Sequence, residues 1–206
     1  MGLRRCWKRY THLFIRIIID TGIMTEKQIE RIRLRITKIK KELAADKKHW
    51  GGYYHDGRGL RYLPPGLFIK IKDYKGGLRY LQWFNRSFPD DSGYPIFLFE
   101  WTMILFKTGK LKQAEKKAYE TYMSNVYLFD KFLGRTLKMV DKWEGSAWET
   151  ASLTEELQYT KEEAEYADFA EWVETILASG KFFKFEREFL DIEKRLKTEP
   201  VGETRK

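Results

Sequence analysis

Apolar residues recur at helical spacing along most of this chain. The clearest stripe is formed by five aliphatic residues that are three or four positions apart: Ile29, Ile32, Ile36, Ile39 and Leu43. Thr25 and Gln28 stand just before it at the spacing of a capping box, in which each side chain bonds the other residue's backbone N–H. Because residues three and four apart share one helix face, the pattern predicts an amphipathic helix over residues 24–46. Its other faces are basic.

The same spacing continues beyond a glycine-rich stretch, residues 47–59, which is expected to form a loop. Helices are then predicted over seven stretches, near 64–72, 75–88, 95–107, 111–123, 124–140, 160–180 and 181–197. No proline occurs from Ile96 through Glu199, which fits a mostly helical run. The sequence therefore predicts an all-α fold, closed by an acidic αα-hairpin over residues 141–198 and a frayed tail over 199–206.

Residues 1–23 form a basic and apolar N-terminal extension. Arg16 interrupts the apolar run and Asp20 ends it, so the run is shorter than the ~20 residues that a membrane-spanning helix needs. No small-residue cleavage site follows, which argues against a signal peptide. Two interpretations stay open: a short segment that lies on a membrane surface, or an extension upstream of a true translation start at Met24.

Residues 60–140 carry a repeated pattern of helix-turn-helix spacing. The first unit is marked by Tyr74, Gly77, Leu81, Phe84 and Pro89, and the second by Leu98, Trp101, Leu105, Gly109, Leu111, Ala114 and Ala118. The small residues Gly77 and Ala114 are 37 positions apart, and Lys72 stands where a glycine is usual in the turn. The pattern resembles that of tetratricopeptide repeats. An ordinary helical bundle with two chance hairpins is the alternative.

The resemblance implies a fold and a function. It implies antiparallel helical hairpins stacked as a short α-solenoid with flanking helices, serving as a non-catalytic scaffold that binds another protein or peptide. The groove of such folds is lined by the first helix of each unit, which in this chain gives Tyr62, Ile69, Lys70, Phe99, Met103, Phe106 and Lys107. An apolar groove edged by lysines would suit an amphipathic helix or an acidic peptide. Homo-oligomerisation is left open.

Charge is unevenly distributed along the chain. The net charge is +9 over residues 1–50, +7 over residues 51–140 and −7 over residues 141–206. Either the two ends attract each other or each meets a different partner. Basic residues such as Arg79 and Arg86 also interleave with aromatic ones such as Tyr80 and Trp83, which suits phosphate contact and base stacking. Nucleic-acid binding is therefore the alternative function.

Residues suited to catalysis or metal binding are few. The only cysteine, Cys6, excludes an internal disulfide and favours a reducing, cytoplasmic location. The three histidines, His12, His49 and His55, lie within the first 55 residues and accompany no nucleophile motif. The sequence thus predicts no enzyme activity, no cofactor and no metal site.

Overall fold

The chain is all-α over the part that its structure describes. The computed structural model describes residues 24–199; the predicted N-terminal extension (1–23) and residues 200–206 of the predicted tail lie outside the described residues. The helices are α1 (Glu26–His49), α2 (Pro64–Lys70), α3 (Tyr74–Ser87), α4 (Pro95–Lys107), α5 (Leu111–Ser124), α6 (Leu128–Phe132), α7 (Ala167–Leu177) and α8 (Gly180–Thr198). Four short 3₁₀ turns, Leu60–Tyr62, Ala147–Glu149, Ala151–Glu156 and Ala164–Tyr166, complete the helical content, and no strand occurs between residues 24 and 199.

Helix α1 begins with the predicted capping box. The Thr25 hydroxyl accepts from the Gln28 N–H, and the Gln28 side chain accepts from the Thr25 N–H at 2.7 Å. The second half of the predicted apolar stripe, from Ile36 onwards, is buried against α2 and the 3₁₀ turn before it. The helix continues past the predicted end to His49, because basic side chains in a last turn complement the helix dipole.

Two hairpins, α2–α3 and α4–α5, have the same turn. Lys72 and Gly109 both adopt left-handed backbone conformations, with φ of 56° and 72°. In each turn the following N–H reaches back five residues, from Asp73 to Phe68 O at 3.0 Å and from Lys110 to Leu105 O at 2.9 Å. This is the Schellman arrangement, which satisfies the last carbonyls of a helix. The second helix of each hairpin therefore starts at equivalent positions 37 residues apart.

Gly77 allows the first hairpin to pack closely, as the sequence predicts. A Cβ atom at this position would lie 2.8 Å from Ile104 Cδ1 and 3.3 Å from Phe68 Cβ, so α3 approaches both α4 and α2. Ala114, its counterpart in the second hairpin, is fully buried. Small residues at these two positions thus set the distance between neighbouring helices.

The predicted helix over residues 124–140 is wrong. Only Leu128–Phe132 is helical, and Gly134 ends it in a third Schellman turn with φ of 64°. Leu128, Phe132 and Leu133 are fully buried, so the apolar pattern reports burial rather than a long helix. The chain then runs without regular structure to the 3₁₀ turn at Ala147.

The predicted helix start at Thr160 is also wrong. Thr160 and Glu163 do pair, with the Thr160 N–H donating to the Glu163 carboxylate at 3.3 Å, yet α7 begins only at Ala167. The Lys161 N–H donates instead to the Phe132 carbonyl at 3.0 Å. This tertiary hydrogen bond holds the segment in a non-helical path until it reaches α7.

Candidate functional site

The face of α4 that the sequence predicts as a binding groove is covered. Ile69, Phe99 and Met103 are at most 1% exposed, so these three residues belong to the core and do not line an open groove. The covering residues come from α6, through Phe129 and Phe132, and from the acidic C-terminal part of the chain. We call residues 157–177, which include α7, the cover segment.

Aromatic rings of the cover segment pack on the α4 face. Tyr159 stacks on Phe99 with ring centroids 5.8 Å apart, and Phe169 meets Phe99 edge to face at the same separation. Phe106, at the end of α4, lies 5.4 Å from Phe169 and 5.1 Å from Trp172. Two of the predicted groove residues therefore do contact a helix, but it is one from the same chain.

Lys107 fixes the polar edge of this contact. Its ammonium group donates to the Asp168 carboxylate at 2.6 Å and to the Glu165 backbone carbonyl at 2.6 Å. Its side chain is only 12% exposed, so the ion pair is partly shielded from water. A charge-assisted hydrogen bond in such a place is stronger than one on the open surface.

Glu165 of the cover segment is bound by residues at the turn between α2 and α3. Lys72 forms an ion pair with Glu165, and the Tyr74 hydroxyl donates to Glu165 at 2.6 Å. Burial acts to raise the pKa of Glu165, but hydrogen bonds from Lys72 and Tyr74 and the charge of Lys107 outweigh it and lower that pKa. Glu165 is therefore held as a carboxylate by three groups of the hairpins.

A buried carboxyl group, Glu100, lies under the cover segment. Tyr159 donates to Glu100 at 2.7 Å, and the Gly66 N–H donates to it as well. Burial raises the pKa of Glu100 to about 8, and the two hydrogen bonds only partly offset this. A side chain at Gly66 would collide with Glu100, since a Cβ there would lie 2.5 Å from Oε1.

Tyr62 belongs to a different polar cluster. The Tyr62 hydroxyl donates to Asp91 at 2.6 Å and accepts from Arg61 at 2.9 Å, within a polar cluster that links the 3₁₀ turn to the loop before α4. Lys70 is exposed at the end of α2. Of the seven predicted residues, only Phe99, Phe106 and Lys107 meet the cover segment in the contacts described above.

No protein-family profile, curated protein or solved structure matches this chain.

Tyrosine-to-carboxylate hydrogen bonds recur along the whole C-terminal contact. Tyr94 donates to Glu156 at 2.6 Å and Tyr122 to Glu186 at 2.5 Å, in addition to the pair of Tyr74 with Glu165. Individual pairs could not be predicted from the sequence. The excess of carboxylates after residue 140, against a basic and tyrosine-rich first part, was the available signal, and it left open whether the two ends attract each other or meet different partners.

The remaining polar candidates form no second centre in the described chain. His49 and His55 are both exposed, and each lies 5.1 Å from the Trp50 ring. Between residues 24 and 199 no three His, Cys, Asp or Glu side chains are placed to hold a metal ion. No helix in that range is both long and apolar enough to span a bilayer.

Proposed function

We propose that this protein is a non-catalytic interaction module, similar in plan to tetratricopeptide scaffolds, which binds an acidic, aromatic helical segment of a partner protein. The proposed binding surface is the α4 face together with the turn at Lys72. The observation that carries the proposal is the occupancy of this surface by the cover segment. The chemistry of the cover segment, which this surface binds within its own chain, indicates the chemistry of a partner segment that the surface would bind.

The contacts divide into two kinds, as in other helix-in-groove recognition. Phe169 and Trp172 supply the apolar anchors, and Glu165 and Asp168 supply the charges. The two similar hairpin turns also support a scaffold of repeated units.

The experiment supplies the cover segment as a separate peptide. In the full chain, Glu165→Lys with Asp168→Lys places like charges opposite Lys72 and Lys107, which opens the α4 face. A fluorescent peptide of residues 157–179 is then titrated against the wild type and this variant. We expect the peptide to bind the opened variant and to bind the wild type at least ten times more weakly, measured by fluorescence anisotropy.

The matched control is Glu155→Lys with Glu171→Lys. It makes the same change in net charge at two exposed carboxylates, Glu155 just before the cover segment and Glu171 within it, neither of which forms an ion pair in the described chain. This control must behave like the wild type. A peptide that binds all three proteins equally, or binds the opened variant no better than the control, contradicts the proposal.

A further inference from the structure

A second surface of the molecule carries an uncompensated positive charge. Helix α1 contains nine lysine and arginine residues and four carboxylates, and α3 contains three cations and no carboxylate. Within residues 24–199, only Arg33 and Lys38 among the cations of α1 form ion pairs, both with carboxylates of α1 itself, and none of the cations of α3 forms one.

Two lysines of α1 lie over aromatic rings of neighbouring elements. Lys40 lies 5.8 Å from the centres of both the Phe68 and Tyr80 rings, and Lys47 lies 5.0 Å from the Tyr54 ring. Burial first, and then the charge of Arg79, lowers the pKa of Lys40, and the charge of Asp73 offsets this only in part. Like charges from two helices are thus held together at the surface, an arrangement that destabilises the free protein and that a bound anion would relieve.

The exposed face of α3 is a single basic row. Lys75, Arg79 and Arg86 are all exposed and lie at helical spacing, with Gln82 between the last two. The aromatic flank of α3 turns towards the loop after α1, where Trp83 lies 6.0 Å from Tyr54. We call Lys40 and Lys47 of α1 together with Lys75, Arg79 and Arg86 of α3 the basic face.

Exposed rings stand at one end of the basic face. Trp50 and Tyr53 follow directly after the basic last turn of α1 and are 50% and 80% exposed. A positively charged track for the backbone, combined with exposed rings on which bases stack, is how proteins bind single-stranded nucleic acid.

We propose that the basic face binds single-stranded nucleic acid, with α1 and α3 contacting phosphates and the rings after α1 stacking on bases. An anionic membrane fits less well, because the apolar stripe of α1 is turned into the core from Ile36 onwards and cannot enter lipid. The cover segment does not neutralise the positive charge of the basic face, because its Glu165 and Asp168 pair with Lys72 and Lys107.

The test uses the full chain and a fluorescein-labelled oligothymidine of ~20 nucleotides, longer than a typical single-strand site. We expect binding at about 50 mM salt that weakens steeply towards about 200 mM. Lys75→Glu with Arg79→Glu should weaken binding at least tenfold at low salt and lower the salt slope by about 1.4, since each phosphate contact on a single strand contributes about 0.7. Trp50→Ala with Tyr53→Ala should weaken binding and leave the salt slope unchanged.

The two hairpins provide a matched control. Lys112→Glu with Lys116→Glu makes the same charge change at the equivalent positions of α5, 37 residues later, where both side chains are also exposed. We expect this control to bind like the wild type. If the charge-reversal variants of α3 and α5 lose affinity for the oligonucleotide equally, the attraction depends on net charge alone, and this result would overturn the proposal. So would binding to anionic vesicles without binding to the oligonucleotide, or tighter binding to the duplex than to the single strand.

Discussion

One of the two hairpin turns contains a residue, Lys72, in a strained backbone conformation. Lys72 and Gly109 hold the same left-handed position, yet only glycine adopts it without steric cost. A Cβ atom at Gly109 would meet nothing within 4 Å, so a side chain there changes conformational energy alone.

We expect Gly109→Lys to lower the free energy of unfolding by about 1 kcal/mol, the cost of a left-handed backbone for a residue with a Cβ atom. Lys72→Gly should raise it by a smaller amount, because it relieves the same strain but loses the ion pair with Glu165, worth up to about 1 kcal/mol. Urea unfolding of both variants measures the two values. An unchanged Gly109→Lys variant would show that the turn relaxes.

Glu100 makes stability depend on pH. Its pKa is about 8 in the folded protein and about 4.3 when unfolded, so the folded state holds the extra proton between these values. Its contribution to stability is complete below pH 4.3 and is lost as the pH rises through 8. We therefore expect Glu100→Gln to gain stability relative to the wild type between pH 5 and pH 8, by a few kcal/mol at about 1.4 kcal/mol per pKa unit.

Urea unfolding at both pH values checks this expectation for Glu100. The exposed Glu155→Gln serves as the control and should show no such gain. If the difference between Glu100→Gln and the wild type stays constant with pH, the carboxyl group is not held in its neutral form.

The composition of α4 predicts its burial better than the repeat pattern does. The repeat pattern places residues such as Phe99 and Met103 in a groove. However, α4 is apolar almost all round, PIFLFEWTMILFK, and such a helix is usually enclosed on every side. Of the residues chosen by their position in the repeat, Phe99, Phe106 and Lys107 meet the cover segment, whereas composition was the better guide to exposure.

At the scale of elements, those with strong local signals were predicted well. The bounds of α4, Pro95–Lys107, agree with the prediction at both ends because proline marks its first turn and Gly109 ends it. The errors concern α6 and the start of α7, where distant contacts outweigh local preference. The hydrogen bond from Lys161 to the Phe132 carbonyl is one such contact, and no local pattern encodes it.

Helix α1 should be unequally stable along its length. Its buried residues begin at Ile36, so its first ten residues contribute few apolar contacts. We expect amides of residues 27–34 to exchange with deuterium faster than those of residues 37–45, because local opening follows the density of buried contacts. Hydrogen-exchange mass spectrometry measures this, with α4 as the protected reference. Equal protection along α1 would contradict the expectation.

At the scale of the whole molecule, the charge distribution predicts either attraction between the two ends or a separate partner for each end. Within residues 24–199, the acidic C-terminal part pairs with cations of the middle of the chain, Lys72 and Lys107, and its own Lys181 pairs with Glu115. No ion pair in that range joins it to α1, and none of the cations of α3 forms one. Net charge per segment therefore did not predict which cations the acidic part contacts; the fold shows this.

The connection between α6 and the cover segment makes the cover segment compete with any partner segment for the α4 face. Residues 133–156 tether the cover to the surface that it occupies, so its effective concentration there is on the order of millimolar. A partner segment with identical contacts, present at about micromolar concentration, would be outcompeted by about a thousandfold. A partner of the kind proposed for the α4 face would therefore need contacts that the cover lacks, or would have to meet a chain whose cover has already been released.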